Sequence, residues 1–148
     1  MRVSKCLLYL VSLFSLFGCS KQIENEVIKP SNSVKISHTY DEVQEYELFW
    51  ETMFDVNSEN YYVYIYSNSC SHCEDLKDYI IEKALTRGDI YFVKGTSNDQ
   101  IGNDPNKSKY AGNPGDIWIL GYPSLLKITD KKCMKNLAGI SQIKAELK

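Results

Sequence analysis

The chain has 148 residues with 17 basic against 19 acidic side chains, a net charge of −2, so it lacks the basic excess that a nucleic-acid partner requires. Its length fits one domain around a single ordinary core, and no internal repeat or second domain divides it. The five cysteines are the part of the composition that points to chemistry.

Arg2 and Lys5 make a short basic start, and residues 7–17 are an apolar run too short for a permanent membrane-spanning helix. Gly18 then precedes Cys19. Leu16-Phe17-Gly18-Cys19 resembles the bacterial lipobox, with Phe17 bulkier than the small residue usual at its place. The resemblance implies cleavage before Cys19 and lipid on that cysteine. A plain secretory signal cut elsewhere and an uncleaved membrane anchor are the competing readings. The expected organisation is a signal peptide over 1–18, a polar tether over 19–33 and a folded domain over 34–148, outside the cytoplasm and attached to a membrane through Cys19. Removing residues 1–18 takes away Arg2 and Lys5 and no acid, leaving 15 basic against 19 acidic side chains and a net charge of −4.

Cys6 leaves with the signal and Cys19 carries lipid, so the domain retains Cys70, Cys73 and Cys133. For Cys133 the favoured reading is a buried hydrophobe in a strand, ahead of a mixed-disulfide or regulatory role.

Residues 34–37 alternate apolar and polar and suggest a short edge strand. Thr39 with Glu42 has the spacing of a capping box, which opens an expected helix through about Phe54. Its Val43, Tyr46, Phe49, Trp50 and Met53 recur at helical spacing and read as core. Residues 61–66 form the strongest strand signal, apolar or aromatic on both faces and therefore central. A helix follows over 74–85 with Leu76, Tyr79, Ile80 and Ala84 on one stripe. Arg87-Gly88-Asp89 reads as a helix stop and turn rather than an adhesion tripeptide. Residues 90–93 form a second buried strand, and 96–115 a long polar segment, either a functional flap or the holder of a short helix. Asp99, Asp104 and Asp116 in and beside it lack the spacing and closing glutamate of a calcium loop. Residues 125–128 and 133–138 make a hairpin, and Ser141 caps a closing helix to Lys148.

Cys70-Ser71-His72-Cys73 falls at a strand-to-helix junction. A thiol attacks only as thiolate, and a helix N-terminus stabilises a thiolate through unpaired N–H groups and the positive end of its dipole. Cys70 is the candidate nucleophile; Cys73, one turn along, can close an internal disulfide and expel what Cys70 has captured. Ser71 and His72 lie between them as thiolate-tuning residues, His72 adding a donor or, when protonated, a positive charge. A metal site of Cys70, Cys73 and His72 is disfavoured, because adjacent ligands seldom face one ion and no second cluster completes four-coordination.

With Gly121-Tyr122-Pro123-Ser124 before a later strand and the terminal hairpin and helix, this chain resembles the thioredoxin-fold thiol–disulfide oxidoreductases over about residues 34–148. The resemblance implies an α/β fold, a central mixed sheet flanked by helices, with the Cys70–Cys73 disulfide as redox centre and no other cofactor. It makes Pro123 the family's cis-proline and Tyr122 the residue whose backbone pairs with an extended substrate. The implied partners are thiols or disulfides of exported proteins, with a membrane redox partner in addition. The histidine between the cysteines resembles the oxidase and isomerase branches. Two positions depart from the family: Tyr64 stands where its buried proton-relay acid is found, and Ser69 replaces the aromatic residue common before the first cysteine. The rival reading is a non-catalytic accessory lipoprotein of the same fold that serves export or secretion of other peptides.

Overall fold

The computed structural model describes residues 37–148. The expected signal segment, Cys6, Cys19, the expected tether and residues 34–36 of the expected first strand lie outside the described residues, and Ser37 is not in a strand.

Among the described residues five strands form one sheet: β1 (Glu47–Leu48), β2 (Asn60–Tyr66), β3 (Ile90–Lys94), β4 (Ser124–Thr129) and β5 (Lys132–Ala138), in the order β1-β3-β2-β4-β5. β3 runs parallel to both β1 and β2, whereas β2–β4 and β4–β5 are antiparallel. β2 is thus central, as its two apolar faces require, and all six of its residues from Tyr61 to Tyr66 are buried. Helix α1 (Ser71–Arg87) carries the chain from β2 to β3 and buries Leu76, Ile80, Ile81 and Ala84. Gly88 ends it in the left-handed conformation (φ 72°), the position where a side chain would be strained, and Arg87 then forks onto the Asp89 carboxylate at 2.8 Å.

The helix expected over 39–54 is not formed. Tyr40–Tyr46 is a 3₁₀ segment in which Val43 leaves helical geometry (φ −119°, ψ 20°). β1 follows, pairing Glu47 with Phe92 and Leu48 with Val93, and Trp50–Thr52 makes a second 3₁₀ turn. The physical reason is that this segment rounds the sheet edge and serves both faces. Val43 packs with α1 on one face, whereas Met53 lies under the other, and Phe49 is left 78% exposed. A single straight helix would have set all five apolar residues on one side. The Thr39–Glu42 signal itself is real: the Glu42 carboxylate accepts the Thr39 N–H at 2.7 Å.

Alternation along β2 divides the core. Tyr62, Tyr64 and Tyr66 face α1, together with Phe92, Leu125, and Ile143 and Leu147 at the C-terminus. Tyr61, Val63 and Ile65 face Met53, Ile117, Ile119, Leu126 and Cys133. Among the described residues helices α1 and α2 (Ile140–Glu146) therefore flank the same face, and irregular chain covers the other. α2 begins after Gly139 (φ 78°), so Ser141 lies inside its first turn and is not the cap.

The polar segment 96–115 packs Ala111 against that face, joins Ile119 through an isolated parallel bridge at Ile101, and ends in a short 3₁₀ turn, Pro114–Asp116. Buried Ser108 accepts the Trp118 N–H (2.7 Å) and donates to the Trp118 carbonyl (3.0 Å). Tyr110 N–H donates to the Cys133 carbonyl and Cys133 N–H to the Ala111 carbonyl, which occupies part of the outer edge of β5.

Cys133 is fully buried and free, and burial, partly offset by a backbone hydrogen bond at Lys135, pushes its thiol from an ordinary 9.0 up to about 11. Burial likewise lifts Tyr40 and Tyr61 to about 12. These groups ionise more readily in the unfolded chain, so the stability they protect is complete below the unfolded values of 9.0 to 10.0 and is lost as pH rises through 11 to 12. The urea midpoint should be flat up to about pH 9 and fall steeply by about pH 12; a midpoint unchanged at pH 12 would contradict this.

Candidate active site

Three chain segments meet at the end of the sheet where the parallel strands β2 and β3 finish. Ser67–Ser69 turn the chain from Tyr66 into Cys70, with Cys70 N–H bonded to the Ser67 carbonyl (3.2 Å). Tyr66 pairs with Lys94, which places Gly95 and Thr96 beside that turn, and Gly95 N–H donates to the Tyr66 carbonyl at 2.7 Å. Ile65 pairs antiparallel with Ser124, so the register carried one step further sets Pro123 alongside the end of β2. Ligands of sheets with parallel strands bind at such carboxyl ends.

Cys70 is the N-cap of α1, and its Sγ accepts the Cys73 N–H at 3.1 Å. The two cysteines form a disulfide with Cα atoms 5.2 Å apart. Cys70 is half-buried and Cys73 only 1% exposed, so an incoming sulfur reaches Cys70. A thiolate released there would face the first-turn N–H groups of a 17-residue helix. Ser71 and His72 lie on the exposed rim; the His72 side chain is 69% exposed, with Nδ1 3.9 Å from the Asp75 carboxylate.

The Tyr122–Pro123 bond is cis and Pro123 is buried. Among the described residues no hydrogen bond is made by the Tyr122 N–H or carbonyl, whereas the Pro123 carbonyl accepts the Gly139 N–H at 3.1 Å. The Tyr122 ring turns towards the 95–99 segment. Its hydroxyl lies 2.5 Å from Asp99 Oδ2 and 3.2 Å from the Thr96 carbonyl, and the ring rests directly on Gly95.

A cleft of about 480 Å³ opens beside the disulfide, with Cys70, Cys73, Tyr66, Glu47 and Glu74 among its walls. The Tyr66 hydroxyl donates to Glu47 Oε1 at 2.7 Å. Tyr66 stacks on Tyr40 (3.9 Å between centroids), and Phe92 sits edge-on to Tyr40, Tyr64 and Tyr66. Tyr64 is fully buried, its hydroxyl without a hydrogen-bond partner among the described residues, and burial drives its ionisation far above the ordinary 10.0. It accepts no proton at neutral pH.

Asp99 entered the sequence reading only as one acid of a discarded calcium loop, and Gly95, Thr96 and Glu47 did not enter it as site residues. No local signal marks them, because their partners lie 19 to 29 residues away. Among the described residues no three His, Cys, Asp or Glu side chains are grouped to hold a metal ion, and no helix is long and apolar enough to cross a membrane.

No protein-family model matches the chain, and no curated protein matches it. Among solved structures it is similar to thioredoxin f2 of Chlamydomonas reinhardtii, with 16% identity, 68% of this chain and 88% of that one covered, and a TM-score of 0.43. It is also similar to mitochondrial thioredoxin 3 of Saccharomyces cerevisiae in its oxidised form, with 13% identity, 68% and 88% covered, and a TM-score of 0.44. Thioredoxin O2 of Arabidopsis thaliana, also oxidised, gives 13% identity, 74% and 93% covered, and a TM-score of 0.41. On its own strand order, β1-β3-β2-β4-β5 with β4 and β5 antiparallel, and its cysteine pair opening the helix after the central strand, this chain has an α/β thioredoxin-like fold.

Proposed function

We propose that this protein is a membrane-anchored, extracytoplasmic thiol–disulfide oxidoreductase that exchanges disulfides with exported proteins. The observation that carries the reading is the asymmetry of the pair: Cys70 is reachable at a helix N-terminus, and Cys73 is buried behind it. In the oxidising direction a substrate thiolate attacks Cys70 Sγ, breaking the Cys70–Cys73 bond and leaving Cys73 as thiolate. A second substrate thiolate attacks the mixed disulfide; the substrate leaves with its own disulfide and the protein holds two thiols, having taken two electrons. A membrane redox partner would reoxidise it. Isomerisation starts from the reduced pair, with the Cys70 thiolate attacking a substrate disulfide.

The direction leans towards oxidation or isomerisation. Whatever stabilises the Cys70 thiolate stabilises the reduced form, which makes the disulfide a stronger oxidant; here the Cys73 N–H and the helix dipole do so. Tyr64 stands where a relay acid would serve Cys73, so the Cys73 proton exchanges through the adjoining cleft, and the steps in which Cys73 leaves or attacks are slow. The anchor is lipid on Cys19, and Tyr122 offers its backbone to the substrate.

The purified protein should accelerate insulin reduction by dithiothreitol and the refolding of a reduced, disulfide-containing protein. A reduction potential of about −120 to −180 mV supports the oxidase or isomerase direction, and one near about −270 mV a reductase. Tyr64 in the relay position also favours a second reading, an accessory lipoprotein for export of other peptides with a structural disulfide. An intact fold with no exchange above background would select it.

A further inference from the structure

We propose that Asp99, with the Thr96 carbonyl, is a positioning residue for substrate recognition: it pins the far end of the Tyr122 ring and so fixes the backbone to which an extended polypeptide docks. This assignment deepens and rests on the exchange reading given under the proposed function. The ring is held at three points. Asp99 Oδ2 accepts from the hydroxyl at 2.5 Å, the Thr96 carbonyl lies at 3.2 Å, and Gly95 provides a floor on which a Cβ would collide with the ring.

The holder is itself braced. Thr96 Oγ1 donates to Asp99 Oδ1 at 2.8 Å and accepts the Asn98 N–H at 3.2 Å, while Gly95 N–H bonds the Tyr66 carbonyl at the end of β2. The network therefore joins the strand that leads into Cys70 to the residue before Pro123. Burial and the Asp99 bond both hold the Tyr122 phenol protonated well above its ordinary range, so it remains a donor to the carboxylate. A hydrogen bond to a charged acceptor is stronger than a neutral one and geometrically specific.

The consequence falls on Tyr122's free N–H and carbonyl. With the side chain clamped, these two groups are presented in one orientation, and a substrate strand adding to them orders less of the protein on binding. A small thiol attacking Cys70 needs no such strand. Asp99 thus acts on polypeptide substrates and not on the sulfur chemistry itself.

The test uses the full chain with Asp99→Ala, Asp99→Asn and Tyr122→Phe, each measured with insulin as substrate and with dithiothreitol alone. Loss of a hydrogen bond to a charged acceptor should raise the insulin KM roughly tenfold in Asp99→Ala and Tyr122→Phe, with kcat changing much less. The ratio of insulin to dithiothreitol rates should fall accordingly, and Asp99→Asn, which keeps an acceptor, should recover part of it. An unchanged KM, or an equal loss towards insulin and dithiothreitol, overturns the assignment. A third arm follows the Tyr122 amide by NMR as a cysteine-free extended peptide is added. If the unaltered protein shows no exchange at all, the redox reading fails and this arm decides alone. Weaker peptide-induced shifts in Asp99→Ala support the positioning role, and no shift in the unaltered protein, or the same shift in both, overturns it.

Discussion

Cys73→Ser is expected to stop exchange halfway and leave substrates covalently attached to Cys70, whereas Cys70→Ser should attach none and lose exchange to background. Cys70 is the sulfur at the helix cap that solvent reaches, and in the proposed exchange Cys73, 1% exposed, displaces what Cys70 has bound. Removing Cys73 removes the internal leaving step but not the capture step. Substrate mixtures incubated with each variant, separated without reductant and identified by mass spectrometry, give the answer. Equal trapping by the two variants would contradict the assigned roles.

The largest loss of stability is expected from Phe92→Ala. Phe92 is fully buried in the middle of β3, opposite Tyr64 on β2 and Glu47 on β1, and it meets the rings of Tyr40, Tyr64 and Tyr66 edge-on at 6.2, 5.7 and 6.5 Å. Truncating a buried phenylalanine costs about 3–5 kcal/mol, and three aromatic contacts disappear together. A urea denaturation series should place the variant in that range; a loss under about 1 kcal/mol would mean that the tyrosines close over the vacancy. Because Tyr66 also holds Glu47 beside the cleft, exchange should slow in parallel even where the fold survives.

How much of this was legible in the sequence follows the range of the interactions concerned. β2, α1, β3 and the β4–β5 hairpin announce themselves through composition and periodicity, since each is specified by neighbours in the chain. The cysteine pair at the junction of β2 and α1 was legible for the same reason. The segment from Tyr40 to Thr52 was misread because periodicity reports which residues are apolar, not which of two faces each must reach. A two-residue strand paired with Phe92 and Val93 leaves no local trace. Ser141 was a plausible cap by type, but Gly139 takes the turn that the end of β5 demands. The contact of Tyr122 with Asp99 was invisible because the two are 23 residues apart and meet only once β3 and β4 flank β2.

The exchange proposed for this protein would endanger its own spare thiol. At neutral pH a thiol raised to about 11 is ionised in only about one molecule in ten thousand, and Cys133 is also sealed from solvent. Among residues 37–148 the odd cysteine is thus held as a buried, neutral thiol, and Cys70 is the one cysteine that is not buried. That burial keeps Cys133 out of exchange with the Cys70–Cys73 pair, with no fourth cysteine among residues 37–148 to hold it in a disulfide.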